Sequence, residues 1–329
     1  MFRHPQRLAA PTAILAALTL AAVPATAVAA PGATPSSSPA QQLYHGLRDP
    51  FPRTAPADRV ELPDGFQPEG ITTAGQVAWF GSRADGDIYR ADLATGEGEV
   101  ISEGPGTPSV GLALDVRGRL FVSGGSAGDA RVLDGRSGEV LATYDFGGGF
   151  VNDVVVAGGY AYFTDSERPV VHRLHLGPGG RLTDTFDELD LHGEWEQVDG
   201  FNANGITTSP DRKSLLVVNS TTGALFRVDP DNGHAHRVDL GEDRLVDGDG
   251  MLRTGRTLHV AQNRQNQVAT LRLDRGATRG QVVRTRTSDD FDTPTTIARF
   301  AGALYLPNAR FTTTPEDDTE YWVTRLPLH

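Results

Sequence analysis

The chain contains no cysteine. That excludes a disulfide framework and a lipid-modified cysteine anchor, so stability has to come from a packed core. Lysine is nearly missing too, Lys213 being the one example, although arginine is common. Positive charge is scarce: 30 Lys and Arg stand against 42 Asp and Glu, a formal net charge of −12. A basic footprint for nucleic acid is therefore absent. Beyond the N-terminal segment no apolar run is long enough to span a membrane. Sustained 3.6-residue periodicity is also missing, so no major helix is expected.

What is present begins with an export pattern. Arg3 and Arg7 precede an apolar run over residues 8–23, and small residues follow over 25–29. This is the layout of a secretory signal peptide, expected over residues 1–29; the run is too short and Ala-rich for a stable span. Residues 30–55 open with a Pro-, Ser- and Ala-rich stretch and are expected to be a disordered or extended lead-in. Loss of Arg3 and Arg7 leaves 28 basic against 42 acidic residues, a charge of −14. Residues 56–329 suffice for one large domain. The protein is thus expected to be secreted, with no membrane anchor and no nucleic-acid partner.

A repeat organises that domain. β-rich runs ending in small or polar residues recur at 76–82, 119–124, 160–165, 214–219, 257–262 and 303–308. Anchored on Phe80, Val122, Phe163, Val217, Val260 and Leu306, the intervals are 42, 41, 54, 43 and 46 residues. Each run has a strand before it and another after it, and Gly-containing turns such as Ala94-Thr95-Gly96 and Asp231-Asn232-Gly233 suit antiparallel connections. Four short strands per repeat, six times over, predict an all-β, six-bladed β-propeller with four antiparallel strands per blade. The last repeat lacks a fourth strand, and residues 59–62 are expected to supply it and close the ring, which would remove an exposed edge. Two packed β-sandwiches are the alternative. The long third interval places an insertion within residues 182–198, expected to overhang one face and shape access.

Short polar loops precede several first strands. Glu69, Asn152, Asn204 and Asp249 each stand two residues before the strand-leading Ile71, Val154, Ile206 and Met251. In a propeller the first strand of each blade lines the central channel, so these four are expected to meet at its mouth. Two carboxylates and two amide carbonyls offer hard oxygens and a charge of −2, which suits Ca²⁺. Mn²⁺ or Mg²⁺ fit the same set, and Zn²⁺ is less favoured because no His or Cys joins it. Taken singly, each residue could equally serve a turn. Asn202 stands two residues before Asn204 and is a candidate support or substrate contact. Blade six offers Thr293 and Pro294 at the matching place and is expected to add shape and no ligand.

The motifs Pro68-Glu69-Gly70, Val151-Asn152-Asp153, Asn202-Ala203-Asn204-Gly205 and Asp247-Gly248-Asp249-Gly250-Met251, in this order and spacing, resemble the regucalcin/gluconolactonase (senescence-marker-protein-like) family. The resemblance spans most of residues 56–329. It implies a six-bladed propeller with one divalent metal in the channel, held by Glu69, Asn204 and Asp249, with Asn152 as a ligand or substrate contact. It also implies metal-assisted hydrolysis, the cation polarising a lactone or ester carbonyl and activating water. Asp249, or Asp153, would take the proton, and Asp247 and Asp199 would orient ligands. One position departs from the pattern. Sugar-lactone-binding members carry an arginine two residues before the Asn of blade three, and this chain has Phe150 there, which favours a less polar substrate. The expected function is a secreted metal-dependent hydrolase of a small lactone or ester. The competing expectation is a non-catalytic secreted propeller that binds a ligand or protein partner and keeps a structural Ca²⁺.

Gly124-Gly125-Ser126-Ala127-Gly128 matches G-x-S-x-G, but that motif needs a helix after it and a strand follows here. It reads as a blade turn. His172, His175, His234 and His236 read as structural or surface residues.

Overall fold

The computed structural model describes residues 56–328. The signal peptide expected over 1–29 and the lead-in expected over 30–55 lie outside the described residues. Runs such as VAWFGS and LLVVN are apolar at nearly every position. Such runs suit strands covered on both faces, and they become the middle strands of six sheets.

A first strand, β1 (Arg59–Leu62), precedes the repeats. Blade one is β2 (Pro68–Ala74), β3 (Val77–Ser82), β4 (Ile88–Asp92) and β5 (Gly98–Ser102). Blade two is β6 (Leu112–Leu114), β7 (Arg119–Ser123), β8 (Asp129–Asp134) and β9 (Val140–Asp145). Blade three is β10 (Val151–Ala157), β11 (Tyr160–Asp165), β12 (Val170–Gly177) and β13 (Arg181–Asp190). Blade four contains β14 (His192–Gly193), β15 (Ala203–Thr208), β16 (Leu215–Asn219), β17 (Leu225–Val228) and β18 (His234–Arg237). Blade five is β19 (Gly248–Thr254), β20 (Thr257–Gln262), β21 (Gln267–Leu273) and β22 (Gly280–Arg286). Blade six is β23 (Ala298–Phe300), β24 (Ala303–Pro307) and β25 (Tyr321–Pro327), with β1 paired antiparallel to β25 from Arg59↔Thr324 to Leu62↔Tyr321. The protein is a six-bladed β-propeller.

The core lies between blades. On β3, Ala78 and Phe80 pack toward blade six while Trp79 packs toward blade two. On β16, Leu215 and Val217 face blade three while Leu216 and Val218 face blade five. A period of two on a doubly covered strand therefore feeds two cores at once. Outer strands such as β5 and β22 are mostly exposed and polar.

The insertion is divided between the rim and the blade entry. Most of it is β13, the ten-residue outer strand of blade three. The next residues form β14, a fifth strand that pairs parallel with β18 in blade four. Extra chain is thus taken up as backbone pairing at the rim, where the amides find partners. Residues after β14 then return to the exit of β11, where Gln197 Nε2 donates to Glu167 O at 3.0 Å.

Candidate metal centre

The candidate ligands share one backbone device. In four blades the register between first and second strands slips at the same place. The slips fall between Pro68 and Ile71, Val151 and Val154, Ala203 and Ile206, and Gly248 and Met251. Two residues oppose one at each slip, which makes a bulge that re-aims side chains. The first bulge residue is Glu69, Asn152, Asn204 or Asp249. The second is Gly70, Asp153, Gly205 or Gly250. By the same offset, blade two presents Val110-Gly111 and blade six Thr295-Thr296.

The second positions tie each blade to the next. A Cβ on Gly205 would lie 2.1 Å from the backbone oxygen of Asp249, so glycine alone admits the approach. In blade three this place is Asp153, whose carboxylate crosses the gap. Its Oδ2 accepts from Ile206 N at 3.1 Å and its Oδ1 from Val154 N at 2.8 Å. In blade six Thr296 Oγ1 donates to Glu69 O at 2.7 Å, and Thr295 Oγ1 to the same oxygen at 2.6 Å. Two expectations change here. Asp153, read as an alternative base, has both oxygens on backbone amides and lines the central channel. Thr295, and neither Thr293 nor Pro294, holds the ligand offset of blade six, with its hydroxyl on the backbone. The channel is a cavity of about 330 Å³ bordered by Ile71, Leu112, Asp153, Ile206, Met251 and Ile297.

The first positions form a buried polar cup. Glu69, Asn152, Asn204 and Asp249 are 4%, 4%, 5% and 2% exposed. Asn263 Nδ2 donates to Asp249 Oδ2 at 2.6 Å, and the Asn204 amide lies close enough to that carboxylate to favour its charged form. Asn152 Nδ2 donates to Ser166 Oγ at 2.9 Å, and Ser166 Oγ donates to Ala203 O at 2.7 Å. Glu69 Oε2 and Asn204 Oδ1 are buried with no partner at all. Burial, with the charges of Asp249 and Asp153, holds the Glu69 carboxyl well above its ordinary value. Burial pushes Asp249 up to about 7 and Asp153 up to about 6. Orphaned oxygens beside crowded carboxylates are what a bound cation would satisfy. The donor set is all oxygen, two of the four carboxylates, and fits a hard divalent ion such as Ca²⁺. Among the described residues no group of three or more His, Cys, Asp or Glu is placed to hold a metal.

A further ring of residues surrounds the cup and was missed in the sequence. Ser166 and Asn263, which bond to Asn152 and Asp249, each stand fourteen residues after the ligand they touch. In blade one the fourteenth residue after Glu69 is Arg83. The backbone confirms the equivalence. Arg83 N donates to Gln67 O at 3.0 Å, Ser166 N to Phe150 O at 2.9 Å and Asn263 N to Asp247 O at 3.0 Å. Burial lowers the Arg83 pKa, and the Glu69 and Asp249 charges oppose that fall. The offset shared by blades one, three and five was the legible signal; in blade four the same backbone bond is made by Ser220, sixteen residues after Asn204.

The remaining candidates lie around the mouth. Asn202 is 1% exposed, and its amide is taken up by the chain: Oδ1 accepts from Val198 N at 2.9 Å, and Nδ2 donates to Val198 O at 2.8 Å. It fastens the end of the insertion and makes no cup contact. Asp247 Oδ2 accepts from Gln265 Nε2 at 2.7 Å, and Asp199 is exposed. Phe150 meets Phe201 edge-on at 4.9 Å, and Phe201 is 46% exposed. Ser126 is exposed in the turn between β7 and β8. His234 lies between His192 and His236, with ring centroids 5.0 and 4.5 Å away, at the outer edge of blade four.

No protein-family model and no curated protein sequence matches the chain. Solved structures do. The Malassezia sympodialis allergen Mala s 1 superposes with a TM-score of 0.66 at 17% identity, covering 83% of this chain and 96% of its own. Regucalcin from Agrobacterium tumefaciens, a calcium-binding protein, gives 0.58 at 17% identity, covering 84% and 96%. A luciferin-regenerating enzyme gives 0.54 at 15%, covering 82% and 95%. All three are six-bladed propellers. At these identities the likeness carries the fold, which hosts unrelated functions.

Proposed function

We propose that this chain is a secreted, divalent-cation-dependent hydrolase of small lactones or esters. The observation that carries the reading is the cup: Glu69 Oε2 and Asn204 Oδ1 are buried without partners, and the Glu69 and Asp249 carboxyls are held above their ordinary values. Glu69, Asn152, Asn204 and Asp249 would hold the cation, with Ca²⁺ the best match to the donors. When bound, it would polarise a carbonyl oxygen and make a nearby water more acidic. Asp249 is the proton acceptor in this reading. Asn263 fixes its Oδ2 at 2.6 Å, which orients the carboxylate that would accept the proton. Phe150 and Phe201 would take the apolar part of the substrate, in the place where sugar-binding relatives carry an arginine.

One observation favours the non-catalytic alternative: none of the four cup residues is more than 5% exposed, as expected for a cation with every position filled by protein. A panel of lactones and esters with added Ca²⁺, Mn²⁺, Mg²⁺ or Zn²⁺, run on wild type and Asp249→Ala, separates the two. Turnover that needs both the cation and Asp249 supports the hydrolase. Tight cation binding with no turnover of any compound leaves a structural cation in a binding propeller.

A further inference from the structure

The position of Arg83 raises a question that a cation site alone does not answer. Arg83 follows the second strand of blade one at the offset where blades three and five place Ser166 and Asn263 directly on their own cup residue. A guanidinium and a carboxylate so placed would be expected to pair. Among the described residues, no ion pair joins Arg83 to Glu69. Glu69 Oε2 is buried without a partner, and so is Arg83 Nε. Of the five Arg83 donors, Nη2 makes one long bond, to Ala309 O at 3.4 Å. The group is held from one side by an aromatic face, its Cζ lying 4.7 Å from the Phe311 ring centroid. Arg264 lies over the same ring at 5.7 Å and is exposed.

Arg83 is half-buried, but its enclosed Nε and the enclosed Glu69 Oε2 each lack a partner, and an enclosed charged group left unpaired is unfavourable until a ligand supplies the counter-charge. A cation on Glu69 meets half of that need. It also repels Arg83, and so favours an anion against the guanidinium. We infer that Arg83 forms a carboxylate-binding subsite beside the cation cup, so that this site takes a ligand carrying a carboxylate. The inference rests on the cation reading of the cup. The carboxylate is either one that the substrate already carries or the one that ester or lactone hydrolysis releases. A planar fork of N–H donors braced on Phe311 suits that group better than a neutral carbonyl. Benzoate, a planar carboxylate on a ring, is the probe.

The test is calorimetric titration of Ca²⁺ and of sodium benzoate, each alone and with the other present, on wild type, Arg83→Gln, Arg83→Lys and Asn204→Ala. Wild type is expected to bind benzoate more tightly when loaded with Ca²⁺, and Ca²⁺ more tightly with benzoate, by the same factor. Arg83→Gln is expected to lose about tenfold or more in benzoate affinity while binding Ca²⁺ at least as well as wild type. Arg83→Lys keeps the charge without the fork and should fall between them, which excludes misfolding as the cause. Asn204→Ala should lose Ca²⁺ binding and, with it, the Ca²⁺ enhancement of benzoate. Ca²⁺ binding with no saturable benzoate binding, or with Arg83→Gln matching wild type for benzoate, overturns the subsite and leaves the cup standing. Failure of wild type to bind any divalent cation overturns the cup itself. Monomethyl succinate and methyl butyrate distinguish the two sources. A loss confined to the charged ester in Arg83→Gln assigns the carboxylate to substrate. An equal effect on both, with weaker inhibition by product, assigns it to product.

Discussion

Ionising Asp249 should oppose folding of the metal-free protein, and the size of the effect follows from the cup. Burial pushes its carboxyl from an ordinary 3.8 up to about 7, against the hydrogen bond from Asn263, and the charge of Asp153 adds to the rise. A raised folded-state value means that the folded chain holds this proton more tightly than the unfolded chain. The stability this group contributes is therefore complete below the unfolded value and is lost as pH rises through the folded one. Each pH unit in that window is worth about 1.4 kcal/mol, so the loss is on the order of 4 kcal/mol. Asp249→Asn removes the ionisation and keeps an oxygen to accept from Asn263 Nδ2. At about 2–4 °C per kcal/mol for a domain somewhat smaller than this one, metal-free Asp249→Asn should melt ~5 °C or more above wild type at about pH 8. The two should converge near about pH 4. Saturating Ca²⁺ should reverse the order, because it stabilises only the chain that binds it. The assay is thermal unfolding by calorimetry after chelation, across pH, with and without Ca²⁺. A metal-free wild type whose Tm does not fall between about pH 5 and about pH 8 would refute the reasoning. So would a variant that melts below wild type throughout.

Two further outcomes follow from the bulges. Gly205→Ala places a Cβ 2.1 Å from the Asp249 backbone oxygen and should cost about 2–4 kcal/mol and weaken cation binding; Gly75→Ala, at φ 64° with open space around it, should cost only about 1 kcal/mol, and chemical denaturation of the pair checks the difference. Asp153→Asn leaves one of the two amides at Val154 and Ile206 without an acceptor and should cost about 1–3 kcal/mol, while turnover stays within about tenfold because the side chain is a clamp; an Asp153→Asn protein of wild-type stability with no turnover would make Asp153 the base after all.

The repeat and its period were enough to determine six blades, because each middle strand must bury both faces and so carries an apolar run that recurs at a near-constant interval. The offset of two residues before Ile71, Val154, Ile206 and Met251 likewise marked Glu69, Asn152, Asn204 and Asp249, since a bulge recurring at one register leaves the same spacing in every blade. Chain order alone could not say where the second bulge residue points. Asp153 looked like a spare base, but the ring brings Ile206 N to its carboxylate and makes it a clamp. Asn202 reads as a support or substrate contact, and only the folded chain shows that the segment it supports is Val198. The insertion after Arg181 carried no mark that most of it would extend two sheets at the rim. Arg83 had no local feature to single it out. The hairpin of blade one sets its place beside Glu69, but its contacts with Ala309 and Phe311 exist only once blade six closes on blade one, because local propensity sets which residues are strand or bulge, and long-range packing sets what surrounds them.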